Sequence, residues 1–95
     1  MITVQQAVKQ AHEYFDSLFK DRYSNIILEE IEFNELDGCW YITLGYDIVD
    51  TTGEQQNIPV FSGVLVPKIK YRREYKIFKV RGEDGNVLSM KIRSL

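Results

Sequence analysis

The sequence predicts an α+β domain in which an N-terminal helix packs on a four-stranded antiparallel meander. Apolar residues recur at helical spacing over about the first 20 residues, and the hydrophobic period then falls to two, as in strands. The strand-like segments are mostly joined by tight turns, which is typical of antiparallel neighbours. With 95 residues, 44% of them hydrophobic, we expect one globular domain spanning residues 1-95.

The N-terminal segment carries a helix start signal and one apolar face. Thr3 and Gln6 have the spacing of a capping box, in which each side chain accepts a hydrogen bond from the other residue's backbone N–H. The apolar residues that follow form one stripe: Val4, Ala7, Val8, Ala11, Phe15, Leu18 and Phe19. We therefore expect a helix over about residues 3 to 20, with one face against a sheet.

A hairpin is predicted next. Residues 26–36 have strand periodicity that slips at residues 28–30, which indicates a β-bulge. Asp37-Gly38 is a strong hairpin signal, and we expect a type I′ turn, with positive φ at both central positions. The partner strand alternates, with inward Trp40, Ile42, Leu44, Tyr46 and Ile48 and outward Tyr41, Thr43 and Asp47.

The second half of the chain predicts two further strands around an ambiguous segment. Residues 50–57 are polar and predict a loop, whereas 58–67 is apolar and fits either a short edge strand or an apolar loop. Residues 69–81 predict a long strand with a change in alternation near Ile77 and Phe78. A turn at 82–86 leads to a last strand at 87–93, with Leu88, Met90 and Ile92 on one face.

Two segments carry a resemblance to a known family. The stretch ILEEIEFNELDGCWYITLGY follows a capped helix with a strand, an Asp-Gly turn and an aromatic-rich partner strand. The tail YKIFKVRGEDGNVLSMKI forms a closing hairpin with a Gly-bearing turn. Together they resemble the PepSY-like variant of the cystatin-like architecture. The resemblance implies a helix on a four-stranded sheet, and an association with protease propeptides and inhibition.

Residues with catalytic or metal-binding chemistry are few. Cys39 and His12 are the only cysteine and histidine, and we expect them on opposite sides of the sheet, out of hydrogen-bond reach. One Cys and one His cannot build a zinc site, and the sequence has no DxDxDG calcium loop. It also lacks a Gly-rich phosphate cradle before a helix. We therefore expect no enzyme activity, no cofactor and no metal.

Composition also bears on the compartment. A single cysteine cannot close an internal disulfide, so nothing in the sequence requires an oxidising environment. No apolar run approaches the length of about 20 residues that a membrane span needs. The N-terminal residues lack the pattern of a secretory signal peptide. We expect a cytoplasmic protein with no membrane contact.

Charge is segregated along the chain. Residues 23–67 contain eight acidic residues and no Lys or Arg, whereas residues 68–81 contain seven basic residues and one acid. Pairing between neighbouring strands accounts for Asp47 opposite the basic strand. It does not account for the acids at 29–35, because the second strand is expected to separate them from the basic strand.

These features favour a small protein-interaction module of the inhibitor or immunity type, binding a protein partner or a second copy as a homodimer. Tyr and Arg are enriched in interface hot spots, and exposed apolar segments favour association. Tyr71 and Tyr75 are either buried under the helix or lie with Tyr41 on the face of the sheet that the helix does not cover. The candidate partner-binding residues are Tyr41, Phe61, Val64, Leu65, Tyr71, Arg73 and Tyr75.

Two alternatives remain open at this point. A small apolar ligand could lie between helix and sheet, in a pocket lined by Phe15, Trp40 and Tyr46. Nucleic acid could bind the basic strand 68-81, where aromatic residues alternate with Lys and Arg. A sequence pI of about 5.3 argues against nucleic acid, because such proteins normally present a dominating basic face.

Overall fold

The helix forms where its capping signal predicts. The computed structural model describes residues 1–20, 22–49, 57–59, 65–67 and 70–94, and for 57–59 and 65–67 only the backbone. Helix α1 spans Val4–Phe19 with Thr3 as its N-cap. The Thr3 hydroxyl accepts from the Gln6 backbone N–H at 3.2 Å, and the Gln6 side chain accepts from the Thr3 N–H at 2.8 Å. These bonds satisfy two backbone donors that the helix itself leaves unpaired.

Six strands follow the helix in the described part of the chain. Their bounds are β1 Ser24–Asn34, β2 Cys39–Val49, β3 Asn57–Pro59, β4 Leu65–Pro67, β5 Tyr71–Arg81 and β6 Val87–Arg93. Four of them form an antiparallel sheet in the order β1-β2-β5-β6, so each pairs with its neighbours among these four. The predicted fold class, a helix on a four-stranded antiparallel meander, is confirmed, and its topology is consistent with a cystatin-like one.

The ambiguous apolar segment contains a second, two-stranded sheet. β3 pairs with β4, with Ile58 opposite Val66 at its centre. Neither short strand pairs with the main sheet, so the described parts of this segment form a separate strand pair rather than an edge of that sheet. Of the candidate binding residues there, Phe61 and Val64 lie outside the described residues, and Leu65 begins β4.

The turn between β1 and β2 differs from the predicted type. A type I′ turn needs positive φ at Asp37 and Gly38, but in the described chain only Gly38 of this pair has it, at 67°. The turn covers residues 35–38 and is closed by a bond from the Gly38 N–H to the Asn34 carbonyl at 2.9 Å. The Asp37 carboxylate accepts from the Cys39 N–H at 2.9 Å, which stabilises the longer turn.

Strand register decides which side chains face the helix. The predicted bulge in β1 is confirmed by a register shift between Leu28 and Glu30. The predicted change of alternation in β5 is wrong, since β2 and β5 pair without a shift from Cys39↔Arg81 to Val49↔Tyr71. The even-numbered residues of both strands therefore face α1, and the odd-numbered ones face away from it.

The core lies between α1 and the helix side of the sheet. α1 packs on β2, β5 and β6. The buried cluster consists of Ala7, Ala11, Phe15, Ile42, Leu44, Tyr46, Phe78 and Val80. At one end of the sheet the two hairpin turns touch, because the Gly82 N–H donates to the Gly38 carbonyl at 2.9 Å. The helix is joined to the same point by a bond from the Ile2 N–H to the Gly82 carbonyl at 2.8 Å.

Candidate protein-binding face

The side of the four-stranded sheet that α1 does not cover is the candidate binding surface, and we name it the reverse face. It is formed by alternate residues of β2, β5 and β6, together with acidic residues on both sides of the β1 bulge, which the pairing register brings side by side. Its members are Glu29, Glu30 and Glu32 of β1, Tyr41, Thr43, Gly45 and Asp47 of β2, Tyr71, Arg73, Tyr75, Ile77 and Lys79 of β5, and Ser89, Lys91 and Arg93 of β6.

The structure brings four of the candidate binding residues to this face. Tyr71, Arg73 and Tyr75 are alternate residues of β5. Tyr41 on β2 pairs with Lys79, which lies further along β5. Tyr71 is the most open of the four, with 60% of its surface exposed, and Tyr75 is half-buried. Burial of these tyrosines under α1, the alternative that the sequence left open, is excluded by the register.

Arg73 is held in place by its neighbours. Its guanidinium donates to the Asp47 carboxylate and to Glu29, both at 3.1 Å, and to the Asn25 carbonyl at 2.7 Å. Gly45 makes this possible, because a Cβ there would lie 2.7 Å from Glu29 Oε1 and 3.1 Å from Arg73 Nη2. Arg73 is thus a fixed, partly exposed cation rather than a mobile one.

A second arginine lies across the middle of the face, and sequence reasoning missed it. Arg93 forms an ion pair with Glu30 and lies 3.5 Å from the Thr43 hydroxyl. Although Thr43 is on the uncovered side of the sheet, only 4% of its surface is exposed. The cleft beside it has a volume of about 300 Å³ and is lined by Glu30, Glu32, Tyr41, Thr43, Ile77 and Arg93.

Tyr41 and Asp37 connect this face to the β1–β2 turn. The Tyr41 hydroxyl donates to the Asp37 carboxylate, and Lys79 Nζ lies 3.7 Å from the same carboxylate. The hydrogen bond from Tyr41, with help from Lys79, holds the pKa of Asp37 below its ordinary value. The same bond raises the pKa of Tyr41. Asp37 is therefore ionised at neutral pH, and Tyr41 is kept in one orientation.

These contacts correct the expectation that the acids of the first strand are too far from the basic residues to pair. Arg73 on β5 reaches over Gly45 to Glu29, and Arg93 reaches from β6 to Glu30. The Arg73–Glu29 pair crosses one strand, β2, at Gly45, which has no side chain in the way. The Arg93–Glu30 pair crosses two strands, β2 and β5, and depends on the length of both side chains. Charge segregation along the chain thus becomes charge pairing across the reverse face.

A buried lysine lies on the opposite, helix-facing side. Lys76 is only 8% exposed, and its Nζ lies 4.8 Å from the ring centre of Tyr46, 5.1 Å from that of Phe19 and 5.7 Å from that of Tyr23. The ammonium donates to the Tyr46 hydroxyl, which in turn donates to Glu74 at 3.1 Å. A signal for it existed in the sequence, since Lys76 shares its parity with Phe78 and Val80.

We predict that replacing this lysine changes the pH dependence of stability. Burial lowers the pKa of Lys76 below its ordinary value. Between the folded-state pKa and the unfolded value near 10.5, the unfolded chain binds more protons, so stability rises with pH in that window. Lys76→Met removes the buried charge, and we expect a variant at least as stable as the wild type at pH 7. Its advantage should shrink as the pH approaches 10, measured by urea unfolding at each pH.

Lys79→Met is the matched control, because the pKa of Lys79 is shifted in the opposite direction from that of Lys76. Tyr41 and Asp37 raise the pKa of Lys79, so its contribution to stability is present at pH 7 and is lost above pH 10.5. Removing Lys79 should therefore destabilise at pH 7. A Lys76→Met advantage that stays constant or grows with pH would contradict the explanation by burial.

Cys39, the one cysteine of the sequence, lies at the start of β2. Its side chain is buried and donates to the Asp37 carbonyl at 3.4 Å. Within the described ranges, no three His, Cys, Asp or Glu side chains are grouped in a way that could hold a metal ion. In the same part of the chain, no helix combines the length and hydrophobicity that crossing a membrane requires.

Fold and face together define the class of this protein as an α+β domain with one sheet face packed on a helix and with ion pairs across the other face. Comparison with protein-family models, with curated proteins and with solved structures gave no match.

Proposed function

We propose that this protein is a non-enzymatic, cytoplasmic protein-interaction module that binds a protein partner through the reverse face. An inhibitor or immunity-type role fits this activity, in line with the PepSY-like resemblance. The observation that carries the proposal is the placement of Tyr41, Tyr71, Arg73 and Tyr75 together on the sheet face that α1 leaves uncovered.

The physical properties of these side chains suit recognition. Tyrosine offers a large, rigid contact area with a polar tip, and arginine adds planar hydrogen bonding. Where β6 ends, a cavity of about 350 Å³ lies beside this group, lined by Arg72, Arg73, Glu74, Tyr75, Ile92, Arg93 and Ser94. Because Asp47 and Glu29 already fix Arg73, little conformational entropy remains to be lost there on binding.

The described residues favour a protein over nucleic acid. Several cations of the basic strand are already committed: Arg73 pairs with two carboxylates, and Arg81 lies 2.9 Å from Asp84. Lys76 is buried on the other side of the sheet. A phosphate backbone would have to break these pairs, whereas a protein surface with its own mixed charges can be matched to them.

The small-ligand alternative receives less support. Phe15 and Tyr46, two of the three residues expected to line a pocket, are fully buried with their ring centres 5.1 Å apart. The third, Trp40, packs on Phe33 at 4.8 Å. These rings fill the space between helix and sheet rather than surrounding a ligand.

The test is loss of partner binding when the exposed tyrosines are removed. We expect the Kd of a Tyr71→Ser, Tyr75→Ser double variant for the partner to be at least about 30-fold higher than that of the wild type. The loss of a hot-spot side chain costs about 2 kcal/mol or more of binding free energy. Tagged protein would capture the partner from native lysate, and calorimetry on the purified pair would then measure the Kd.

The matched control is Leu36→Ser in the β1–β2 turn, where the side chain is 99% exposed and off the reverse face. It should bind like the wild type. Equal affinity of the double variant and the wild type for the same partner would refute binding through this face.

A further inference from the structure

The two edges of the four-stranded sheet differ in how they are protected. Edge strand β1 has two register shifts, between Ser24 and Ile27 and between Leu28 and Glu30, and it carries a run of acidic side chains. Bulges and charges of one sign are the means by which proteins prevent an edge from pairing with another chain. β6, the other edge, has one register shift, beside Leu88, and no described strand lies on its outer side. Unlike β1, it carries no acidic side chain.

The helix-facing side of β6 carries exposed apolar residues. Ile92 is 78% exposed and Leu88 is 43% exposed, with half-buried Met90 between them. The patch continues onto α1, where Tyr14 and Leu18 are exposed one helical turn apart. Tyr14 and Leu88 line the same cavity, of about 510 Å³. An open edge strand and an apolar flank thus coincide in one place.

We propose that two copies of this chain pair antiparallel through β6, about a two-fold axis at Met90. In that register Leu88 of each copy lies opposite Ile92 of the other, and Ser89 of each copy lies opposite Lys91 of the other. The two-fold axis therefore repeats each pair once. The exposed apolar residues cover one another, and no two like charges are directly opposed. The result is an eight-stranded sheet with both α1 helices on one side, their exposed Tyr14 and Leu18 side chains turned towards the joint.

Charge and symmetry favour this occupant over other pairings of the same chain. Pairing β1 with a second β1 would bring its bulges and its acidic residues against each other. Pairing β6 of one copy with β1 of the next would match their charges. That arrangement is head-to-tail, however, so the assembly has no closed symmetry and grows into open chains of molecules. The two-fold pairing uses the β6 edge, with its exposed apolar residues Leu88 and Ile92, twice. The joint is formed by the edge and the helix-facing side of β6, and it shares Ile92 with the cavity beside Tyr75 but does not include the tyrosines themselves. Dimerisation and partner binding are measured separately, so either proposal can fail alone.

The first test is the mass of the purified protein in solution. Light scattering at concentrations from about 10 to 500 µM should show a dimer, twice the 11.2 kDa of one chain. Ile92→Lys places a charge opposite the apolar Leu88 of the other copy and should weaken dimerisation at least about a hundredfold, since burying a charge without a partner is strongly unfavourable. Ile31→Lys, at an exposed position of β1, is the matched control and should remain dimeric.

The second test fixes the register. In the proposed pairing, Leu88→Cys and Ile92→Cys variants should form a disulfide with each other when mixed, because directly opposite residues lie within bonding range. Neither variant should cross-link with itself, since each residue is about 14 Å from its own copy across the axis. A monomer at every concentration, an Ile92→Lys variant that stays dimeric, self-cross-linking, or assemblies larger than two would each overturn the proposal.

Discussion

Replacing Phe15 with alanine is expected to lower the free energy of unfolding by about 3–5 kcal/mol. Phe15 is 1% exposed and lies at the centre of the aromatic cluster under α1. Its ring centre is 5.0 Å from that of Phe19, 5.1 Å from that of Tyr46 and 6.3 Å from that of Phe78. The rings are fixed by the sheet on one side and the helix on the other, so the cavity cannot collapse freely.

Urea unfolding followed by circular dichroism measures the loss. Phe15→Leu keeps most of the volume and should lose much less, while Lys9→Ala, on the exposed face of the same helix, should change stability by less than about 0.5 kcal/mol. A Phe15→Ala variant within 1 kcal/mol of the wild type would mean that α1 does not pack on the sheet as described.

Gly82→Ala is the second substitution with a large expected effect, a loss of about 2–3 kcal/mol. A Cβ at this position would lie 2.5 Å from the Gly38 carbonyl oxygen. That oxygen belongs to the backbone of the β1–β2 turn and accepts the Gly82 N–H at 2.9 Å. The added methyl group therefore separates the two hairpin turns, and it loosens the bond from Ile2 that joins the start of the helix to them.

Gly45→Ala is the matched control, because its Cβ would also be too close to a neighbour, at 2.7 Å from Glu29 Oε1. The obstructing atom is here the end of a flexible side chain, so we expect a loss below about 1 kcal/mol, the value of a partly exposed ion pair. Thermal unfolding of both variants, with hydrogen exchange of the Gly82 N–H, distinguishes them. Equal losses would show that the contact between the turns is not rigid.

Local patterns were sufficient for most of the secondary structure. The spacing of Thr3 and Gln6 predicted the helix start, and the slip at residues 28–30 predicted the bulge. The turn type was wrong because Asp-Gly dipeptides fit several loop lengths. Here the side-chain oxygens of Asn34 and Asp37 accept backbone N–H groups and stabilise a four-residue turn.

The candidate face was predicted in part. Alternation placed Tyr71, Arg73 and Tyr75 on one side of a strand, but which side α1 covers depends on register with β2, and the expected break at Ile77 was wrong. No pattern in the sequence predicted that Arg93 would lie next to Glu30. It lies beside Glu30 only because the sheet as a whole brings the outer strands β1 and β6 within reach of two long side chains.

The sequence by itself determined the helix, the order of the main strands and the alternation of side chains along each of them. These properties follow from the 3.6- and two-residue periods of the backbone, which act within one element. The tertiary structure alone decided that Lys76 lies among aromatic rings, that Arg73 and Arg93 cross strands to acidic partners, and that Gly82 meets Gly38. Each of those contacts joins residues from separate elements, and their distances depend on the register and twist of the assembled sheet.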